Sequence, residues 1–231
     1  MIDIVFPNGN ENDFIKMASR LGYTAICFAY TGEKIKAPGN TAEYNALGKQ
    51  LNVEIFFAAI AGKSGNYPFS ENISLNIAIA EPFQDLRPYF EVKRTDIMLG
   101  LEQNQPRDSS HSRNSGLNQV LASLSKSNEI SIGFSFAQIL DSKGMLKSQI
   151  LGRIRQNIRL ARKFRLDTTM ASFAANPLGM RNPHDMASLF AVLGMTHAEA
   201  AKSLEHAHRQ ALANAEQKRP GYLGKGMKHG P

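Results

Sequence analysis

A single cysteine, Cys27, is all the thiol this chain of 231 residues carries. An intrachain disulfide is therefore impossible, and a zinc site built on several thiolates is excluded. A reducing, cytoplasmic setting is the expectation. Long apolar runs are missing as well. The longest, from Ile55 to Ala61, has the length of a strand and falls far short of the roughly 20 residues that span a bilayer. The opening Met1-Ile2-Asp3-Ile4-Val5-Phe6 is acidic and alternating, so it does not read as a secretory signal, which would be basic and then apolar. Acid is also in short supply, with 20 Asp and Glu against 27 Lys and Arg, and the formal net charge is +7. That imbalance favours a polyanionic partner and puts nucleic acid ahead of an anionic membrane.

What is present is enough for a core. Hydrophobic residues make up 42% and charged residues 20%, which excludes a wholly disordered chain. Short β-rich apolar runs at 2–6, 25–29, 53–59, 75–80, 96–101, 130–136 and 168–173 read as strands, most of them apolar on both faces. Between them the helical period predicts helices near 11–21, 41–51, 116–127, 147–165 and 183–193, with a closing helix over 197–215. In the third of these, Leu117, Val120, Leu121 and Leu124 form the apolar stripe and Ser115 is the expected N-cap. Residues 62–94 show the weakest pattern, with a short helix near 83–90 broken by Pro82 and Pro88. The alternation implies an α/β fold, a distorted (β/α) TIM-like barrel over residues 1–215, with an open doubly wound sheet as the rival. Pro220, Gly221, Gly224, Gly226 and Gly230 predict a basic, disordered tail over 216–231.

The densest charge lies in KSQILGRIRQNIRLARKFR, where Lys147, Arg153, Arg155, Arg159, Arg162, Lys163 and Arg165 occur without one acid. On a helix, Leu151, Ile154, Ile158, Ala161 and Phe164 share an apolar face, and Arg155, Arg159, Arg162 and Lys163 fall on a separate arc. A solvated outer helix would ordinarily mix signs, because like charges one turn apart repel; the acid-free arc points to phosphate. The polar loop from Arg107 to Asn114 enters a helix N-terminus, a corner receptive to phosphate, with Arg113 and Ser115 at hand. Arg181 follows the last strand, at the rim where barrels carry function, with an ion pair to Asp185 as its structural alternative.

An active site is harder to assemble. His206 and His208 are two apart and point to different sides of a helix, and His111, His184, His197 and His229 are scattered. Asp3, Asp96 and Asp167 lie in or near strands, where capping of neighbours explains them better than metal binding does. No Gly-x-Ser-x-Gly elbow, Walker loop or GxGxxG turn occurs, and Cys27 sits mid-strand among apolar residues.

Three motifs then resemble one family. They are Arg113-Asn114-Ser115-Gly116-Leu117-Asn118 with Val120-Leu121-Ala122, the stretch Ile150-Leu151 through Arg155, Asn157, Arg159 and Lys163, and Ala171-Ser172-Phe173 leading to Met180-Arg181-Asn182-Pro183, Asp185 and Leu193-Gly194-Met195. In this order they resemble ribonuclease P protein component 3, the archaeal and eukaryotic subunit family whose barrel is related to polymerase-and-histidinol-phosphatase-type phosphoesterases. Asp3-Ile4-Val5-Phe6-Pro7 is similar to the family's opening strand, and residues 62–103 match poorly. Catalytic relatives of the barrel carry two metal-binding histidines at the end of the first strand; Val5 and Pro7 stand there and cannot bind a metal. The resemblance implies an RNA-binding protein subunit without an active site, whose partner RNA uses Mg²⁺ to remove the 5′ leader of precursor tRNA. The implied partners are ribonuclease P RNA, ribonuclease P protein component 2 and the other holoenzyme proteins, with precursor tRNA engaged indirectly. The expected RNA contacts are Arg113, Lys147, Arg153, Arg155, Asn157, Arg159, Arg162, Lys163 and Arg181. The protein itself is expected to bind no cofactor. The alternatives are a stand-alone metal-dependent phosphoesterase and a scaffold for an acidic protein.

Overall fold

Near-continuous apolar runs bury both faces of a strand, and each of the seven runs forms one. They are β1 (Ile2–Val5), β2 (Ala25–Thr31), β3 (Glu54–Ile60), β4 (Ile73–Ile79), β5 (Ile97–Leu99), β6 (Ser131–Ser135) and β7 (Thr168–Ala171). The structure is a computed structural model that describes residues 1–32, 40–62, 66–67, 72–109 and 112–218. Every strand pairs in parallel with its successor, in the order β1 to β7. Beyond β7, Phe173 N donates to Ile4 O at 2.8 Å and Phe6 N donates to Ala174 O at 2.9 Å, so the last strand's extension returns to β1 and nearly closes a barrel. The barrel expectation is met, and the open doubly wound sheet is not.

Alternation along the strands separates two apolar layers. Ile2, Ile4, Cys27, Ala58, Leu75, Ile77, Ile97 and Leu99 fill the interior. Val5, Ile26, Phe28, Ile132, Phe134 and Met170 belong to the larger cluster shared with the helices. Those helices are α1 (Glu11–Arg20), α2 (Thr41–Leu51), α3 (Arg87–Glu91), α4 (Gln119–Ser127), α5 (Phe136–Asp141), α6 (Gly144–Phe164), α7 (Pro183–Val192) and α8 (His197–Gln217). None of the helices in the described residues is long and apolar enough to cross a membrane.

α8 starts at a capping box, in which Thr196 accepts from Glu199 N and Glu199 accepts from Thr196 N. It then crosses the end of the barrel where the strands begin. Ser203 bonds Thr168, Gln210 and Asn214 donate to Asp96 at 3.2 and 3.0 Å, and Asn214 also donates to Ser74 O at 2.9 Å. Ala207 and Ala211, small enough to enter, complete the interior cluster.

Three local expectations are corrected. α4 begins at Gln119, and its N-cap is Asn118, whose side chain accepts from Leu121 N at 2.9 Å; Ser115 is instead buried. The reason is Gly116, held at φ +78° so close to Leu101 that a Cβ would lie 2.0 Å from its carbonyl oxygen, which delays the helix. The short helix near the prolines is α3, which accommodates Pro88 in its first turn instead of being broken by it. α5 has too few residues to show a period and went unread. The expected tail beyond residue 218 lies outside the described residues.

A cationic groove beside the long helix

α6 carries two unlike faces. Ile150, Ile154, Ile158 and Ala161 pack inward, and Arg153 and Asn157 lie on that same buried face. Arg153 is only 2% exposed. Its Nε donates to Asp108 Oδ1 at 2.8 Å, and one terminal nitrogen donates to Glu102 O at 2.8 Å and Gln105 O at 2.6 Å. Asn157 Nδ2 donates to Ser115 O at 2.9 Å, and Gln156 Nε2 to Arg113 O at 3.2 Å. These side chains lash the segment that follows β5 to α6. Asp108 Oδ1 also accepts from Asn114 N at 2.9 Å, and Asn114 Nδ2 donates to Arg107 O at 2.7 Å, so the loop is braced from within.

The lashing has a consequence for Arg113. Its guanidinium lies directly on Gly152, where a Cβ would sit 1.1 Å from Nη1. Arg113 thereby joins Arg155 and Arg159 along a groove of about 850 Å³, with Ser109, Ser112, Ser148, Gln149 and Gln156 as further polar lining. Among the described residues these three arginines form no ion pair with a carboxylate of the chain. The acid in the groove, Asp108, is spent on Arg153. Burial would raise its carboxyl, but the Asn114 amide and the Arg153 guanidinium outweigh burial and hold it below the usual range. Three guanidiniums free to donate fork-like to phosphate oxygens are what the arrangement offers chemically.

The other expected contacts divide. Arg153 and Asn157 are buried at 2% and 0%, so both are corrected from ligand contacts to supports of the loop. Arg162 is exposed but engaged: it makes a two-pronged pair with Glu199 at 2.7 and 2.6 Å and also donates to Gly194 O, which fastens α6 to the start of α8. That hydrogen bond draws the Glu199 carboxyl down to about 2. Lys147 is half-buried near the start of α6, and exposed Lys163 lies 5.5 Å from the Phe164 ring centre; neither lines the groove. Arg181 is half-buried in its own loop, with Nη1 on Leu178 O and Met180 O and its guanidinium over Phe136. Asp185 bonds Asn182 rather than Arg181.

The residues missed by sequence reasoning are Gly152, Ser148, Gln149 and Gln156. A signal for the first existed, since a glycine inside a 21-residue helix is disfavoured and asks for a reason. The strand carboxylates act as backbone and side-chain acceptors. Asp3 Oδ1 takes Ile4 N at 3.0 Å and Ser172 N at 2.6 Å, helping β7 return to β1. Asp167 pairs with Lys202 at 2.6 Å. His206 faces Asp167 and Thr169, while His208 faces Glu54 and Phe56, on different sides of α8.

The profile of a family described as RNase P subunit p30 matches residues 107–220, from the lashed loop to the end of α8. Ribonuclease P protein component 3 of Methanosarcina acetivorans is 31% identical over 141 residues, 61% of this chain and 55% of the relative, so that alignment spans about half of the relative's length. The protein of the same name from Methanosarcina barkeri is 24% identical over 227 residues, 96% of this chain and 90% of the relative. In three dimensions the chain superposes with a TM-score of 0.79 on a chain of a cryo-EM structure of archaeal ribonuclease P with mature tRNA, at 18% identity, covering 99% and 97% of the two chains. An amidohydrolase crystal structure shares the fold more loosely, with a TM-score of 0.52 at 9% identity over 93% and 75% of the chains. By its motifs, its barrel and these relatives, the chain is similar to the RNase P subunit p30 family, whose profile matches just under half of its length.

Proposed function

We propose that this protein is a non-catalytic RNA-binding subunit of a cytoplasmic ribonuclease P particle, in which the RNA, with Mg²⁺, removes the 5′ leader of precursor tRNA. The observation that carries the reading is the groove in which Arg113, Arg155 and Arg159 converge with no carboxylate of the chain paired to them among the described residues. Guanidiniums left unpaired by their own protein suit a ribose-phosphate backbone, and binding of structured RNA relies on shape and backbone more than on base edges. The protein's part is to neutralise phosphate and fix the RNA's shape, and the scissile bond is left to the RNA. Its partners on this reading are ribonuclease P RNA, ribonuclease P protein component 2 and the other holoenzyme proteins, with precursor tRNA engaged indirectly.

Reconstitution tests it. This chain and component 2 are added to the cognate RNA, and precursor-tRNA cleavage is followed at limiting Mg²⁺. Stimulation of cleavage by the pair is the expected result. No stimulation, or turnover of a small phosphoester by the protein alone, would overturn the proposal. Association with the particle that survives ribonuclease treatment would favour a protein-binding scaffold instead.

A further inference from the structure

Gly152 lines the groove side of α6, buried beneath the Arg113 guanidinium, in the middle of a helix of 21 residues, where alanine would stabilise the helix better. Packing against neighbouring backbone explains other glycines of the chain, such as Gly48, whose Cβ would lie 2.5 Å from Val53 O, and Gly116 against Leu101. At Gly152 the three nearest atoms all belong to one flexible side chain, the Arg113 guanidinium, at 1.1, 2.4 and 3.2 Å. Position 152 precedes Arg155 by three residues and Arg159 by seven, so all three share a helix face. With a rise of about 1.5 Å per residue, the seated guanidinium and the two helix arginines form a row stepped by about 4.5 and 6 Å.

We infer that Gly152 is a positioning residue: its missing side chain seats the Arg113 guanidinium on α6, completing a row of three guanidiniums that grips a ribose-phosphate strand running along the helix. The inference rests on the RNA-binding reading and adds to it the residue that shapes the grip. Arg113 contributes from a loop whose backbone is anchored by Gln156 at Arg113 O and by Asn157 at Ser115 O. An alanine methyl at 152 would displace the guanidinium alone, leaving those anchors and the Arg153–Asp108 pair in place.

Gly152→Ala therefore has an unusual expected signature in the full chain. Thermal unfolding rises by about 2–4 °C, the size of a glycine-to-alanine gain in a helix for a chain of this length. Affinity for the cognate ribonuclease P RNA falls by about tenfold, and the log–log salt slope becomes shallower by about one unit, one phosphate contact having been lost. Arg113→Ala reproduces the affinity loss without the rise in Tm, and adding Gly152→Ala to Arg113→Ala lowers affinity no further. Equal RNA affinity in wild type and Gly152→Ala overturns the inference, as does a fall in Tm, which would make the glycine a packing residue, or additive losses in the double variant. Failure of the wild type to bind the RNA at all would instead overturn the parent reading.

Discussion

Arg153 and Arg155 are two residues apart on α6 and have opposite fates. Arg153 lies with Ile150, Ile154 and Asn157, the spacing of a single buried helix face, and its charge is met by Asp108 and two carbonyls. Arg155 lies on the groove side. Removing one partner of a buried pair strands the other, so Arg153→Ala should cost about 3–5 kcal/mol, read from the shift of the denaturant midpoint. A loss below about 1 kcal/mol would show that the loop does not depend on this anchor. Glu102 is the other buried acid of this region, and no other residue among those described donates a hydrogen bond to its carboxylate oxygens. Burial raises its carboxyl from 4.5 to about 7, and its own backbone amide and then the charge of Arg153 offset only part of that. The folded state then holds more protons than the unfolded chain between about pH 4.5 and 7, so stability contributed by this group is lost as pH rises through that window. Glu102→Gln should flatten that part of the stability–pH curve; an unaltered slope in chemical unfolding would refute the assignment.

Among the elements, α6 and α8 contribute most beyond what their periodicity announces. The period located both helices to within a few residues, because an apolar stripe against the barrel is a local property of the chain. It did not reveal that α8 crosses the strand-entry end of the barrel, since that depends on Asn214 and Gln210 finding Asp96, more than a hundred residues earlier. Ala211 is fully buried at that mouth, among interior residues of the strands. Ala211→Leu should overfill it and cost about 1–3 kcal/mol by differential scanning calorimetry or denaturant titration. If the leucine were neutral, the mouth would have to be looser than the packing implies. The start of α4 was misplaced for a similar reason, because Gly116 is pressed on Leu101 by the same loop that Asn157 holds down at Ser115.

For the whole molecule, the net charge of +7 says that an anionic partner is favoured, and the fold decides which cations can reach it. With Arg153 and Asn157 buried, Arg162 paired to Glu199 and Arg181 turned to carbonyls of its own loop, Arg113, Lys147, Arg155, Arg159 and Lys163 are the expected contacts with no carboxylate paired to them among the described residues. Five phosphate contacts, three of them in the groove, would give a log–log dependence of RNA affinity on salt with a slope on the order of −4, and a flat response in filter-binding titrations would contradict phosphate binding by these cations. Arg155→Glu with Arg159→Glu should weaken RNA binding by at least tenfold with Tm nearly unchanged, since neither side chain is paired within the described residues. A collapse of Tm in that variant would show the row to be structural.

Sequence alone was sufficient for the seven strands, for six of the helices, for the barrel class and for the family resemblance. All of these rest on patterns that repeat within a few residues or on motifs that keep their order. Only the tertiary structure separated the cations that hold the protein together from those with no carboxylate partner among the described residues. An arginine's role depends on whether a carboxylate or carbonyl meets it, and here those partners come from afar, 45 residues from Arg153 at Asp108 and 37 from Arg162 at Glu199. Charge pattern along a helix sees neither of them, and it cannot show that a glycine on the same helix leaves room for a guanidinium delivered by another loop.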